Sequence, residues 1–265
     1  IERMPLTVLT GFVPRGLLVD PEQATLRAGA RIQLTAEGRL GFDGAIALEG
    51  VALDVPRVAS APIRDIAIDV RARGSVDPRL TSLRVDEARV RSASVELSAT
   101  GELTRTREGS AIRFEVTLPE TPCNRLLRAL PSALLGNLAG LSLSGTFAGQ
   151  VRLSLDMANL DATDLAIDLD NRCRVESADA LASIDRLRQP FLHQVEERPG
   201  QWREFVTGPG SPDWTPYDAI SPHMVNAVLT TEDGGFFSHS GFTVREIRGA
   251  IVTDLRAGRF AYGAS

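Results

Sequence analysis

From Leu26 to Leu118 apolar and polar residues alternate with a period of two, and this limits the fold more than any other feature of the sequence. The beat is kept by Ile32, Leu34 and Ala36; by Ile46 and Leu48, then Val51, Leu53 and Val55 past Gly50; by Ile66, Ile68 and Val70; by Val95, Leu97 and Ala99; and by Ile112, Phe114, Val116 and Leu118. Successive side chains of a strand point to opposite faces, so each stretch offers one face to a core and the other to water, the mark of antiparallel strands. Gly38, Gly44, Pro56, Pro62, Gly74, Pro78, Gly101 and Gly109 punctuate the run where turns and bulges are expected.

The pattern then changes. Thr121 is placed to cap a helix with Pro122 at its first position and Leu126, Leu127 and Leu130 on one face, and Pro131 and Ser132 restart it through Leu134, Leu135 and Leu138. Alternation returns with Leu141, Leu143, Phe147, Val151, Leu153 and Leu155, and again with Leu165, Ile167 and Leu169. Ser177 to Arg188 reads as a short helix capped by Ser177, with Leu181, Ile184 and Leu187 at helical spacing and Pro190 closing it. Phe191 to Val195 and Arg203 to Val206 are spaced for a hairpin around Arg198, Pro199 and Gly200, and the turn formers from Thr207 to Pro216 make a linker and a domain boundary.

The 265 residues leave room for two modest domains, and 43% hydrophobic with 24% charged residues argues for a folded chain rather than a disordered tail. The net charge of -5 is mild, its positive side is all arginine, and no clustered basic face stands out, so nucleic acid is set aside as a partner. The most apolar stretch, Leu126 to Leu143, is broken by Arg128, Pro131, Ser132 and Asn137, so no helical membrane span is expected. The opening Ile1-Glu2-Arg3 carries neither an initiator Met nor a signal peptide, and the chain reads as a piece of a longer protein whose anchor lies elsewhere. Cys123 and Cys173 have no CxxC or Cys/His cluster nearby, which argues against a metal site.

Near the end of the chain the chemistry concentrates. Ser221 followed by Pro222 is a helix start, and Met224, Val225, Val228 and Leu229 form an apolar stripe expected to be buried, carrying the chain to Glu232 at the end of a packed helix. Gly234 and Gly235 end it. A second helix begins at Thr243, with Glu246 at capping-box spacing, Val244, Ile247, Ile251 and Leu255 on its core face and Gly258 past its end. Taken singly, a Glu-Asp pair after a helix is most often a solvated face, a lone His239 a loop hydrogen-bonder and Phe236 a core residue. Two acids at the negative end of a helix dipole, however, suggest use rather than stability.

As one constellation, Glu232-Asp233-Gly234-Gly235-Phe236-Phe237-Ser238-His239-Ser240-Gly241 resembles the E-D-x-x-F-x-x-H-x-G motif of the family 51 glycosyltransferases, the peptidoglycan transglycosylases of bacterial wall synthesis. The words Ala227 to Asp233 before it, and Leu255 to Arg259 with Gly263-Ala264-Ser265 after it, extend the likeness over about the last fifth of the chain. The resemblance implies the start of a lysozyme-like domain that polymerises glycan from a lipid-linked disaccharide, lipid II, onto a growing strand. Such a reaction needs a base for the acceptor hydroxyl and donors or positive charge for the departing pyrophosphate. It gives the base to Glu232, and leaves Asp233, Phe236, His239, Gly241 and Ser265 to bind substrate or shape the cleft. No cofactor is assigned, and a divalent cation such as magnesium is compatible with the pyrophosphate chemistry. Two departures stand out: Gly234 and Gly235 occupy positions where many members carry arginine, and Gly263-Ala264-Ser265 is only the opening of the second motif, so the polypeptide as given is expected to be inactive by itself.

The implied site of action is the periplasmic or extracytoplasmic face of the inner membrane, reached through an anchor outside this sequence. Disulfides persist there, so Cys123 and Cys173, each beside an expected structural boundary, are either a disulfide or two buried thiols. The long alternating region also resembles, in composition, the AsmA-type repeats of envelope proteins. The expected fold is therefore α+β: residues 1–175 an antiparallel β-rich domain with a helical insertion near 121–138, residues 176–213 helix, hairpin and linker, and residues 214–265 the truncated start of a transglycosylase domain. Two functions compete. One is the β-rich region and first site motif of a peptidoglycan glycosyltransferase; the other is a non-catalytic AsmA-like envelope module for lipid handling or scaffolding that carries a glycosyltransferase remnant.

Overall fold

The computed structural model describes residues 3–259 except 12, 14, 15, 56–58, 60, 139, 179–182, 199 and 240. Its frame is a 10-stranded sheet built from β1 (Arg3–Pro5), β2 (Leu18–Val19), β3 (Thr25–Leu34), β4 (Leu40–Leu53), β5 (Ile63–Val76), β6 (Ser82–Ser92), β7 (Val95–Arg105), β8 (Ser110–Pro122), β10 (Thr146–Asp156) and β11 (Asp164–Asn171). From β3 onward each strand pairs antiparallel with the next in the sheet, as the alternation predicts. Between β8 and β10 lie two short helices, α1 (Cys123–Ala129) and α2 (Ser132–Leu135), and β9 (Ser142–Ser144), which pairs with β12 (Arg174–Ser177) in a small second sheet. The expected helical insertion is present, but Thr121 does not cap it. Strand β8 runs on to Pro122, and the buried Thr121 hydroxyl donates instead to the Pro119 carbonyl at 2.7 Å.

The two faces of the sheet differ in kind. Directly opposed residues share a face, so Ile32, Phe42 and Gly74, then Ala28, Ile46, Val70, Val90 and Leu97, form apolar rows across the strands. The other face carries ion pairs such as Arg73–Glu87 at 2.8 Å, Arg91–Glu96 at 2.7 Å and Arg152–Asp168 at 2.9 Å. These pairs are largely solvated and contribute little stability each, although the hydrogen bond from Arg91 holds the Glu96 carboxyl below its ordinary pKa. The tightest apolar packing lies at one end of β2–β5, where Leu6, Ala24 and Val51 are buried against Leu18, Leu26, Leu48, Leu53 and Ile66.

Irregularities fall where the alternation changes phase. The shift past Gly50 is a bulge in the β4–β5 pairing, with Gly50 at φ +68°. A second bulge at Arg73/Gly74 brings the chain so close to β6 that a Cβ on Gly74 would sit 2.0 Å from the Arg84 carbonyl oxygen. Strand β6 itself escaped the sequence reading because its partner register slips between Val85 and Ala88, which splits its apolar residues into two short runs out of phase.

Cys123 and Cys173 form a disulfide with Cα atoms 5.7 Å apart, joining the start of α1 to the entry of β12. The described part of Ser177 to Arg188 does not form the expected helix. Ser177 ends β12, residues 179–182 lie outside the described residues, and Ile184–Arg188 is a 3-10 turn whose cap is Ser183, accepting from the Asp185 amide at 3.2 Å. The hairpin is formed as expected, from β13 (Phe191–Arg198) and β14 (Gln201–Thr207). Beyond an irregular stretch stand α3 (Pro222–Asp233) and α4 (Val244–Ala257). Among the described residues no helix is long and apolar enough to cross a membrane.

Candidate active site

The hydrophobic spacing of α3 makes the helix, but it does not bury it. No residue of α3 is buried, Met224 is 60% exposed and Val228 50%, and Glu232 is exposed at the last turn. The expectation of a packed helix delivering Glu232 into an apolar cleft is corrected on this point: amphipathic periodicity identifies a face without identifying what covers it. The side-chain caps are not made either. Ser221 and Thr243 stand at the N-cap positions of α3 and α4, and each supplies only its backbone carbonyl, which accepts from Met224 and Val225 in one helix and Glu246 and Ile247 in the other. The C-cap of α4 does follow the sequence, with Gly258 in the left-handed conformation at φ +61°.

Between the helices the chain closes on itself. Asp233 Oδ1 accepts from the Gly235 amide at 3.1 Å, and its Oδ2 lies 2.7 Å from His239 Nε2. The Gly241 amide donates to His239 Nδ1 at 3.1 Å, which requires that nitrogen to be unprotonated and leaves Nε2 to carry the hydrogen toward Asp233. The Ser238 hydroxyl donates to the Gly235 carbonyl at 2.7 Å. Two glycines suit this loop: Gly241 has φ +112°, and a Cβ on Gly235 would come within 3.4 Å of the imidazole and 3.3 Å of the Ser238 hydroxyl. His239 keeps only 14% of its side-chain surface exposed, while Phe236 and Phe237 meet edge to face at 5.1 Å with Phe237 81% exposed.

The structure thus brings Glu232, Asp233, Phe236, His239 and Gly241 onto one elbow, with Asp233, His239 and Gly241 in direct contact. Ser265 lies outside the described residues, as do Gly263 and Ala264. Chemically, an exposed carboxylate at the helix end beside an Asp–His pair can accept a proton from a hydroxyl while the pair fixes the loop next to it.

Sequence reasoning missed how the elbow is fastened to the sheet. Arg248 of α4 donates to the carbonyls of Thr163 and Asp161, the latter at 2.6 Å, and Arg256 pairs with the Asp161 carboxylate at 2.6 Å. Arg248, Val252 and Arg256 are four residues apart and so share one face of α4, and Val252 between them is buried. Elsewhere, a trough of about 620 Å³ on the charged face is lined by strand residues including Arg84, Glu102, Arg113 and Asp164. It carries both signs of charge and borrows nothing from the elbow. Among the described residues no group of three or more His, Cys, Asp or Glu side chains could hold a metal ion.

A family model described as Transglycosylase matches residues 202–265. The chain is 40% identical over 52 residues to a biosynthetic peptidoglycan transglycosylase of Nitrosospira multiformis, covering 20% of this chain and 23% of that protein. It is 42% identical over 53 residues to one of Aromatoleum aromaticum, with the same coverage. To one of Yersinia pseudotuberculosis it is 39% identical over 81 residues, 29% of this chain and 32% of the relative. The C-terminal segment is therefore a segment of a transglycosylase domain, and the chain spans only 23% to 32% of the length of these relatives. No solved structure matches the chain.

Proposed function

We propose that the elbow supplies the first catalytic motif of a membrane-anchored peptidoglycan glycosyltransferase acting on lipid II at the extracytoplasmic face of the inner membrane. The observation that carries this reading is the closed Asp233–His239–Gly241 loop beside Glu232, made by residues inside the span that matches the transglycosylase model. Glu232 takes the proton from the acceptor sugar hydroxyl as the new glycosidic bond forms and the lipid pyrophosphate departs. Asp233 and His239 position the loop that follows it, Phe236 shapes the cleft, and Ser265 belongs to the substrate contacts of the next motif. Residues 214–265 begin a lysozyme-like domain, residues 176–213 connect it, and residues 1–175 form the scaffold from which it is presented. The Cys123–Cys173 disulfide supports an oxidising compartment.

A second reading, a non-catalytic envelope module with a transglycosylase remnant, is favoured by two observations: Gly234 and Gly235 stand at the elbow where an arginine would face phosphate, and no residue of α3 is buried. One experiment separates the two. In the intact protein, Glu232→Gln should cut polymerisation of labelled lipid II by at least about a hundredfold with the fold unchanged, because the amide keeps the shape but cannot accept the proton. His239→Ala should cost less. Polymerisation at the unmodified rate by the Gln variant would remove Glu232 from the chemistry, and no polymerisation by the unmodified protein would favour the non-catalytic reading.

A further inference from the structure

The trough of about 620 Å³ on the charged face of the sheet has a regular floor. Arg84 on β6, Glu102 on β7, Arg113 on β8, Ser154 on β10 and Asp164 on β11 are opposed pair by pair, so they form one unbroken row across the strands. Residues two places apart on a strand share a face, and Thr100, Glu115 and Arg152 make a second row beside the first. The trough therefore runs across the strands rather than along them. At about 4.8 Å from strand to strand, the row from β6 to β11 is about 19 Å long.

Its charges are not all satisfied by one another. Arg84 donates to Asp86 at 2.8 Å, Arg152 to Asp168 at 2.9 Å, and Glu115 accepts from Gln150 at 2.8 Å. Among the described residues the side chains of Glu102, Arg113 and Asp164 make no hydrogen bond or ion pair, although Glu102 and Arg113 stand directly opposite each other. From β7 to β11 the row thus offers an acid, a base, a hydroxyl and an acid. A polyanion would be repelled by Glu102, Glu115 and Asp164, and an uncharged chain would gain nothing from the unpaired groups. The complementary ligand carries carboxylate and ammonium groups together on a narrow backbone.

We propose that the trough binds a short peptide bearing both acid and amine groups and, resting on the transglycosylase reading, that this is the peptide carried by the glycan of peptidoglycan. An extended peptide of about five residues spans about 17 Å, which matches the row from β6 to β11. A carboxylate of the peptide pairs with the Arg113 guanidinium, an ammonium group with Glu102 or Asp164, and the Ser154 and Thr100 hydroxyls serve its amides. The trough ends beside the joint of the elbow, since Asp164 follows Thr163, whose carbonyl accepts from Arg248 of α4. The sheet then has a task of its own: it holds the peptides of a glycan whose sugars are handled at the elbow.

Titration calorimetry of the full chain with three soluble probes tests this: a disaccharide-peptide released from peptidoglycan by muramidase, the same disaccharide after an amidase has removed the peptide, and the free peptide. The first and third should bind with similar affinity, more weakly as salt is added, and the second should not bind. Arg113→Gln should weaken both by at least about tenfold through loss of a charge-assisted pair. Arg91→Gln, on the same face outside the trough, should change nothing, and both positions are exposed, so the fold is kept. Glu232→Gln should bind the peptide probes as the unmodified chain does, which separates this site from the chemistry proposed at the elbow. Binding of the peptide-free disaccharide as tight as that of the disaccharide-peptide, an affinity unmoved by Arg113→Gln, or no binding of the peptide probes at millimolar concentration would each overturn the proposal.

Discussion

The sheet and the glutamate elbow are held by different kinds of contact. Strands β3 to β11 are tied by ladders between residues far apart in sequence, with a disulfide closing the region where β8 ends and β12 begins. The elbow is local: the hydrogen bonds that shape it connect Asp233, Gly235, Ser238, His239 and Gly241, none more than eight residues apart. Among the described residues its links to the sheet include Arg248, Arg256 and the contact of α4 with β11, while no residue of α3 is buried. The lesson is that a candidate site loop can be closed by its own local hydrogen bonds while contributing little stability of its own. A short helix in water depends on packing for most of its stability, and here the packing lies almost wholly in the β-rich part.

This contrast can be broken at its strong side first. Replacing Cys123 and Cys173 by serine should lower the stability of the sheet by up to about 4 kcal/mol, the chain-entropy value for a loop of 50 residues. Urea unfolding followed by tryptophan-independent circular dichroism in the strand region would show the midpoint fall. An unchanged midpoint would mean that the sheet ladders alone fix that region.

A smaller effect is expected at the joint. Arg248→Ala with Arg256→Ala removes charged donors from the Asp161 and Thr163 carbonyls and from the Asp161 carboxylate, which should loosen α4 by about 1–3 kcal/mol while leaving the urea midpoint of the sheet nearly unchanged. Limited proteolysis within residues 244–257 reads that loosening. Equal destabilisation of both regions would show that they unfold as one unit and would erase the distinction.

The same contrast explains what could be read in the sequence. Period-two alternation is a direct imprint of strand geometry, so β3, β5, β7, β8, β10 and β11 were legible wherever the beat was unbroken. Strand β6 was not, because the bulge between Val85 and Ala88 splits its apolar residues between two phases. The elbow's residues could be named from the motif they resemble, and Gly258 from its place after a periodic helix, yet the burial of α3 was misjudged, because Met224 and Val228 mark a face and leave its partner unstated. The clamps from Arg248 and Arg256 span 85 to 95 residues and leave no local signature. The disulfide could be weighed from the positions of Cys123 and Cys173 but not decided, since spacing alone does not bring two cysteines within bonding distance.

Native-state hydrogen exchange on the full chain tests the central claim, a stable sheet carrying a marginally held elbow. The inner strands β5 to β8 should exchange slowest, α4 at an intermediate rate through its arginine joint and α3 fastest of the three, with protection in α3 lost well before global unfolding. Amides of α3 that exchange as slowly as those of β5 to β8 would contradict the account, because the elbow would then belong to the same cooperative unit as the sheet.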